Sequence, residues 1–393
     1  MADPLRCKIE ATIRGAEPAR LPGPPTGFRH RFPGAVESPT RPPGPGGEPP
    51  ALRGATAPGG GARLAAMAAL LEVRELCVDY PRPDGTVRAV DRVSLHVHAG
   101  EVVALVGESG CGKSTLGLAL LSLVPSPGRI TAGRVLLAGE DLLALPEREL
   151  RRKRGAGIAW VPQETGDALN PVLTVGAQVA EVLRAHRPLD REEARREAVR
   201  ALARVGIPDP ERRARQYPHE YSGGMKQRAL LAMALAAGPR MLVADEPTTA
   251  LDVTLQAGIL DLLRRLAGQE DLGVLLVTHD LGVVAALCDR VLVMYAGRVV
   301  EEGPVDALFA APLHPYTEGL LAGVPRPGIP RGRLPAIPGQ VPDLAHLPPG
   351  CAFAPRCSRA TDRCRDRVPV LEPAGEGRAV ACLEAPPSRE GVR

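Results

Sequence analysis

The chain has no run of about eighteen uncharged apolar residues, the length that a membrane-spanning helix needs. Its longest apolar stretches, "ALLAMALAAG" and "GVLLVTH", have the length of core elements. The opening "MADPLRCKIEATIRG" lacks the apolar centre of a secretory signal, so none is expected. There is no marked excess of either charge, with a net +4 over 393 residues, which argues against a dedicated nucleic-acid binder. Internal repeats are absent as well. What remains is a soluble, cytosolic chain, long enough for two domains or for one domain with appendages. In that compartment disulfides are disfavoured.

Both ends also lack the apolar periodicity of a core. Residues 1–66 are rich in Pro, Gly, Arg and Ala, as in "RPPGPGGEPPALRGATAPGGGARL". Such a composition buries too little apolar surface to offset its ordering entropy, so a disordered tail is expected. Met67 opens the patterned sequence "MAALLEVRELCVDY" and is an alternative start of the protein. From about residue 316, "VPRPGIPRGRLPAIPGQVPDLAHLPPG" predicts a small, loop-rich C-terminal domain, 316–393, held together by something other than a conventional core.

Between these ends, over 67–315, short apolar runs alternate with helical patterns, which implies an α/β domain with a mostly parallel sheet. "EVVALVG" (101–107), "MLVADE" (241–246) and "GVLLVTH" (273–279) read as buried strands. Residues 165–238 break the alternation and read as a helical insertion. There Asp190 and Glu193 form a capping-box pattern, and Gly206 and Pro208 stop the helix that follows.

"GESGCGKST", Gly107 to Thr115, fits G-x-x-x-x-G-K-[ST] between a strand and a helical pattern. Gly107, Gly110 and Gly112 let the backbone curl so that its N–H groups point at phosphate oxygens. Lys113 is expected to reach the β/γ-phosphates and Ser114 to ligate Mg²⁺. A glycine-rich turn with a chance Lys-Ser is the plain alternative, and the strand-then-helix context argues against it. "MLVADEP" delivers Asp245 and Glu246 to a strand's carboxyl end, where ligands bind in open α/β sheets. Asp245 is expected to hold Mg²⁺ through water and Glu246 to polarise the attacking water; taken alone, the pair would pass for a helix cap. Between these motifs, "YSGGMKQR" opens another helix with an anion-binding pattern.

With these motifs in this order, residues 70–315 resemble the nucleotide-binding subunit of an ATP-binding-cassette (ABC) transporter. The resemblance implies a P-loop ATPase fold: a RecA-like α/β core, an antiparallel β subdomain and the helical insertion. It implies ATP and Mg²⁺ as ligands. It places Tyr80 at the adenine-stacking aromatic, and Gln163 in "WVPQETGDALNP" at the glutamine that approaches Mg²⁺ and the water beside the membrane-subunit contact. Ser222, Gly223 and Gly224 fall at the signature motif, Asp252 at the D-loop, and His279 at the switch histidine that contacts the γ-phosphate. Otherwise Tyr80 is a packed aromatic and His279 a core histidine. Two cassettes would face each other, each ATP lying between one P-loop and the other signature serine. The signature departs from the common Leu-Ser-Gly-Gly-Gln at Tyr221 and Met225, and Pro162 precedes Gln163.

"YPHEYSGGMKQRALLAMALAAGPRMLVADEPTTALDVTLQAGIL" and "VMYAGRVVEEGP" resemble the D-type ATPase of dipeptide and oligopeptide permeases. "HPYTEGLLAGVP" opens a C-terminal region shared with nickel permeases. The resemblance implies a heterodimer with an F-type ATPase, two permease subunits, an external solute-binding protein, and a peripheral position on the cytoplasmic face of the membrane. Import of nickel or another solute is the alternative, and a soluble ABC protein of translation or DNA repair a further one.

Four of the eight cysteines stand in the tail, as Cys351-x5-Cys357-x6-Cys364-x17-Cys382. Thiolates can stabilise such a coreless segment by holding a metal. Structural zinc usually shows closer pairs, and the wide spacing suits a cluster. The D-type resemblance implies a four-iron four-sulfur cluster, with zinc, or unligated or disulfide-bonded cysteines, as alternatives. Arg356, Arg359, Arg363, Arg365 and Arg367 could soften the negative charge of a cluster or form a solvated basic face. Cys77 and Cys288 read as core residues and Cys111 as a small filler of the P-loop.

Overall fold

The computed structural model describes residues 68–385 apart from 84, 164–167, 250–251 and 325–334, and apart from the side chain of 253. The expected tail, 1–66, lies outside the described residues. In chain order the elements are strands β1 (Leu71–Arg82), β2 (Gly85–Val97) and β3 (Val102–Val106), helix α1 (Lys113–Leu120), strands β4 (Arg129–Leu137) and β5 (Glu140–Asp141), helix α2 (Glu147–Ala156) and strand β6 (Ile158–Val161). Helices α3 (Val175–His186), α4 (Arg191–Arg204) and α5 (Gly223–Leu235) follow, then β7 (Met241–Asp245), α6 (Val253–Glu270), β8 (Gly273–Val277), α7 (Leu281–Leu287), β9 (Arg290–Tyr295) and β10 (Arg298–Pro304). The chain closes with α8 (Val305–Ala310), α9 (Pro315–Ala322), α10 (Asp362–Asp366), β11 (Glu372–Pro373) and β12 (Ala379–Val380). No helix among the described residues is long and apolar enough to cross a membrane.

The larger sheet runs β11-β12-β10-β9-β3-β8-β7-β6. Its β9-β3-β8-β7-β6 part is parallel, and β10, β12 and β11 add antiparallel strands. Every residue of β3, β7 and β8 is buried, because both faces of the sheet are covered. Successive side chains of a strand point to opposite faces. Val102, Ala104 and Val106 of β3 therefore join the core under α3–α7, whereas Val103 and Leu105 join a second core under α1 and the smaller sheet. That smaller sheet, β2-β1-β4-β5, is antiparallel.

The helical insertion folds as its caps dictate. Asp190 accepts hydrogen bonds from the Glu192 and Glu193 amides at 2.8 Å, and Glu193 accepts one from the Asp190 amide at 3.0 Å. Gly206 adopts a φ of 76° just past α4, a left-handed stop that favours glycine.

The loop-rich C-terminal segment borrows its core. β12 pairs with β10, so the segment widens the ATPase's own sheet. Tyr316 and Phe353 pack with Tyr295 of β9, at ring-centroid distances of 4.7 Å for Tyr295–Tyr316 and 5.2 Å for Tyr295–Phe353. Such pairs contribute about 0.5–1.5 kcal/mol beyond their buried area. Beneath them Glu301 is fully buried and accepts from the Leu313 and His314 amides and from Arg378 Nη2, all at 2.8–2.9 Å. The expected boundary at 315/316 thus falls at the start of α9, a helix whose Tyr316 belongs to the main core.

Candidate functional site

The site gathers at the carboxyl ends of β3, β7 and β8. β3 runs out at Val106, and the Gly107–Gly112 loop leads straight into α1. Gly107 and Gly112 have φ of 156° and 106°, and a Cβ on either would lie 2.2 Å from a backbone oxygen, Met294 O or Ala89 O. No other residue fits there. Lys113 curls back over the loop, its Nζ donating to Gly107 O at 2.8 Å and to Glu108 O at 2.9 Å. The first amides of α1 lack intrahelical acceptors and face the loop's mouth, a ready anion site.

β7 places Asp245 beside that mouth. The Ser114 hydroxyl lies close to the Asp245 carboxylate. Burial pushes the Asp245 pKa up to about 6, against the pull of Ser114 and Lys113. Its Oδ1 is buried with no hydrogen-bond partner, as suits an oxygen that would bind a hard cation. The donor set of Ser114 and Asp245 therefore fits Mg²⁺.

Glu246, the next residue, sits at φ 46°, a strained conformation for a non-glycine residue. Three side chains converge on its carboxylate. Gln163 Nε2 donates to Oε2 at 2.8 Å, Thr249 Oγ1 to Oε2 at 2.9 Å, and His279 Nδ1 lies 2.9 Å from Oε1. Partial burial works against ionisation, but His279 and Thr249 outweigh it and hold Glu246 below the ordinary carboxylate range. An ionised carboxylate with oriented lone pairs can align a water for attack. Gln163 and His279, far apart in sequence, thus meet on one acid; Thr249, within "PTTALD", is a partner that sequence reasoning passed over.

Other expected residues lie apart. Tyr80 on β1 brings its hydroxyl near Thr115 of α1 and packs its ring on Gly128, whose Cβ would lie 2.4 Å from Cε1. Ser222 caps α5 and Gly223 is exposed beside it, while Gly224 packs against Leu255. Asp252 caps α6, accepting from the Leu255 amide at 2.9 Å. No hydrogen bond among the described residues joins Ser222–Gly224 or Asp252 to the Gly107–Thr115 loop.

The tail cysteines do converge. Cys351, Cys357, Cys364 and Cys382 line one small pocket with His314, Phe353, Arg359 and Glu384. No disulfide joins the described cysteines, these four included. Burial pushes the thiols of Cys351, Cys357 and Cys382 up, and neighbouring thiols of the set add to this. No three His, Cys, Asp or Glu side chains among the described residues are placed to share one metal ion. Of the arginines expected near a cluster, Arg359 lines the pocket; Arg356 instead pairs with Glu108 of the phosphate loop.

Comparison with known proteins agrees with this geometry. Residues 90–249 match the ABC transporter family, and 300–364 match the oligopeptide/dipeptide transporter C-terminal region. A putative peptide import ATP-binding protein of Brucella abortus is 53% identical over 326 residues, covering 80% of this chain and 96% of its own length. A probable peptide ABC transporter ATP-binding protein of Sinorhizobium fredii is 49% identical over 316 residues, covering 80% and 94%. Among solved structures, a dimeric ATP-binding cassette in a post-hydrolysis state with ADP and Pi superposes at a TM-score of 0.53, with 30% identity over 60% of this chain and 98% of its own. The cbiO1 subunit of the Clostridium perfringens cbiONQ transporter gives the same score and identity over 62% and 92%. The chain is an ATPase that belongs to the ATP-binding subunits of ABC transporters and carries their oligopeptide/dipeptide transporter C-terminal region.

Proposed function

We propose that this chain is the D-type ATPase of a di- and oligopeptide importer, held peripherally at the cytoplasmic face of the membrane. The observation that carries the catalytic half is the convergence of Gln163, Thr249 and His279 on Glu246, next to Ser114, Asp245 and Lys113. In this reading Lys113 leaves its loop carbonyls for the β/γ-phosphates of ATP, and Ser114 and Asp245 hold Mg²⁺, which neutralises phosphate charge. Glu246 orients the attacking water, Gln163 fixes the carboxylate, and His279 meets the γ-phosphate. Tyr80 stacks on adenine. The peptide half rests on the C-terminal region and on the peptide-import names of the relatives.

Ser222, Gly223, Gly224 and Asp252 act on the ATP of a second, F-type cassette. Their separation from this chain's own phosphate loop supports that reading. Val172 and Leu173, exposed apolar residues shortly after Gln163, support docking of a permease subunit; two permeases and an external binding protein complete the system. The four cysteines hold a four-iron four-sulfur cluster, which would staple the segment. Four thiols lining one pocket support that reading, and their wide spacing in the chain favours a cluster over zinc.

Glu246→Gln is the test of the ATPase reading. It should bind ATP and lose turnover by about 10²–10⁴-fold; undiminished phosphate release would remove Glu246 from its role. For the cluster, anaerobically purified protein should be brown, with iron and acid-labile sulfide in equal amounts. Colourless protein with stoichiometric zinc would overturn it.

A further inference from the structure

Arg356 stands between two of the pocket cysteines, yet its side chain reaches the phosphate loop. Nη1 and Nη2 donate to Glu108 Oε2 and Oε1 at 2.6 and 2.9 Å, and Nε donates to Pro338 O at 2.9 Å. The side chain is 5% exposed, with the guanidinium 5.9 Å from the ring centroids of Tyr295 and Phe353. Its direction is therefore set by packing as well as by charge. Glu108 is the second residue of the Gly107–Thr115 loop, and every polar group on it is held. The Tyr316 hydroxyl accepts its N–H at 2.8 Å, Lys113 donates to its carbonyl, and Arg356 forks its carboxylate. Both Arg356 and Tyr316 come from the C-terminal segment.

A carboxylate beside a triphosphate site repels the ligand unless something neutralises it. A bidentate guanidinium does so and also fixes the carboxylate's direction. We propose that Arg356 is a positioning residue of the ATP site: it anchors and neutralises Glu108, so that the loop accepts a triphosphate without an uncompensated carboxylate beside it. The inference rests on the reading of Gly107–Thr115 as the phosphate loop. Its consequence is that ATP affinity depends on the cysteine-bearing segment, through the cation that segment supplies.

The test measures binding of Mg²⁺ and a non-hydrolysable ATP analogue to the full-length chain, with the melting temperature of each variant recorded. Arg356→Ala should weaken binding about tenfold or more, as expected when the buried member of a hydrogen-bonded charge pair is removed. Glu108→Gln should bind as well as the parent or better, because the repelling charge is gone while its backbone bonds remain. The Arg356→Ala/Glu108→Gln chain should recover to within about threefold of the parent, a non-additivity that a passive staple would not give. Arg356→Gln replaces Arg356→Ala if the latter fails to fold. Parent-like affinity in the Arg356 variants, even with a lowered melting temperature, overturns the proposal, and so does a Glu108→Gln chain as weak as Arg356→Ala. Lys113→Ala separates the two readings. Parent-like binding there would discard the phosphate loop itself; lost binding there, with Arg356→Ala unaffected, would discard this inference alone.

Discussion

Acidification should loosen the C-terminal segment through one buried histidine. His314 is 2% exposed and caps α9, its Nδ1 accepting the Tyr316 amide at 3.0 Å. Protonating that nitrogen would break the cap and leave a charge among Phe353 and other apolar neighbours. Burial accordingly pushes the His314 pKa down from 6.5 to about 4. A folded-state value below the unfolded one fixes the sign. Above about pH 7.5 the imidazole is neutral in both states and stability is unaffected. Between about 6.5 and 4 the unfolded chain takes up a proton that the folded chain refuses, so stability falls with pH. The full shift corresponds to about 3 kcal/mol, of which about 2 kcal/mol is lost by pH 5. Urea unfolding of the parent and of His314→Asn at pH 7.5 and 5 measures this. Asparagine retains a cap acceptor and does not titrate, so it should lose about 2 kcal/mol less on acidification. Equal losses in the two chains would refute the reasoning.

Arg378→Ala strands the fully buried Glu301 carboxylate with only backbone donors and should cost about 3 kcal/mol in urea unfolding, whereas an Arg378→Met/Glu301→Leu chain should cost less than either single change. Gly112→Ala forces a side chain into φ 106° and against Ala89 O, and should abolish ATP binding by titration calorimetry while the chain still folds. Thr249→Val removes one hydrogen bond to Glu246 and should lower kcat roughly three- to tenfold with KM for ATP unchanged; a rise in KM alone would move Thr249 from the carboxylate to nucleotide binding.

The residues legible in sequence are those whose chemistry is contiguous. A phosphate loop is built from consecutive backbone amides, so Gly107–Thr115 carries its own geometry. The runs "EVVALVG", "MLVADE" and "GVLLVTH" are apolar throughout because both faces of their strands are covered, and each forms a buried strand of the parallel sheet. The capping box from Asp190 to Glu193 is likewise a four-residue device. Tyr80 was legible only as an aromatic at a resemblance-given position; its approach to Thr115 and its seat on Gly128 depend on β1 lying across α1. Thr249 went unread because a threonine three residues past a glutamate has many uses until the strained turn at Glu246 folds it back. The C-terminal segment carries no periodic apolar signal because its core is borrowed from β9 and β10 through Tyr316 and Phe353.

By itself the sequence determined the local machinery: the phosphate loop, the acids at the end of β7, the helix caps and the set of four thiols. Each depends on neighbours in the chain or on residue type, and so survives without a fold. Only the tertiary structure decided which distant groups serve that machinery. Gln163 and His279 reach one carboxylate because parallel strands end side by side. Arg356, 248 positions from Glu108, reaches the phosphate loop because β12 joins the ATPase sheet and an aromatic cluster directs the guanidinium. A salt bridge between distant residues leaves no mark in spacing or periodicity; it exists only once packing has brought the two charges together, here a buried guanidinium and a partly exposed carboxylate.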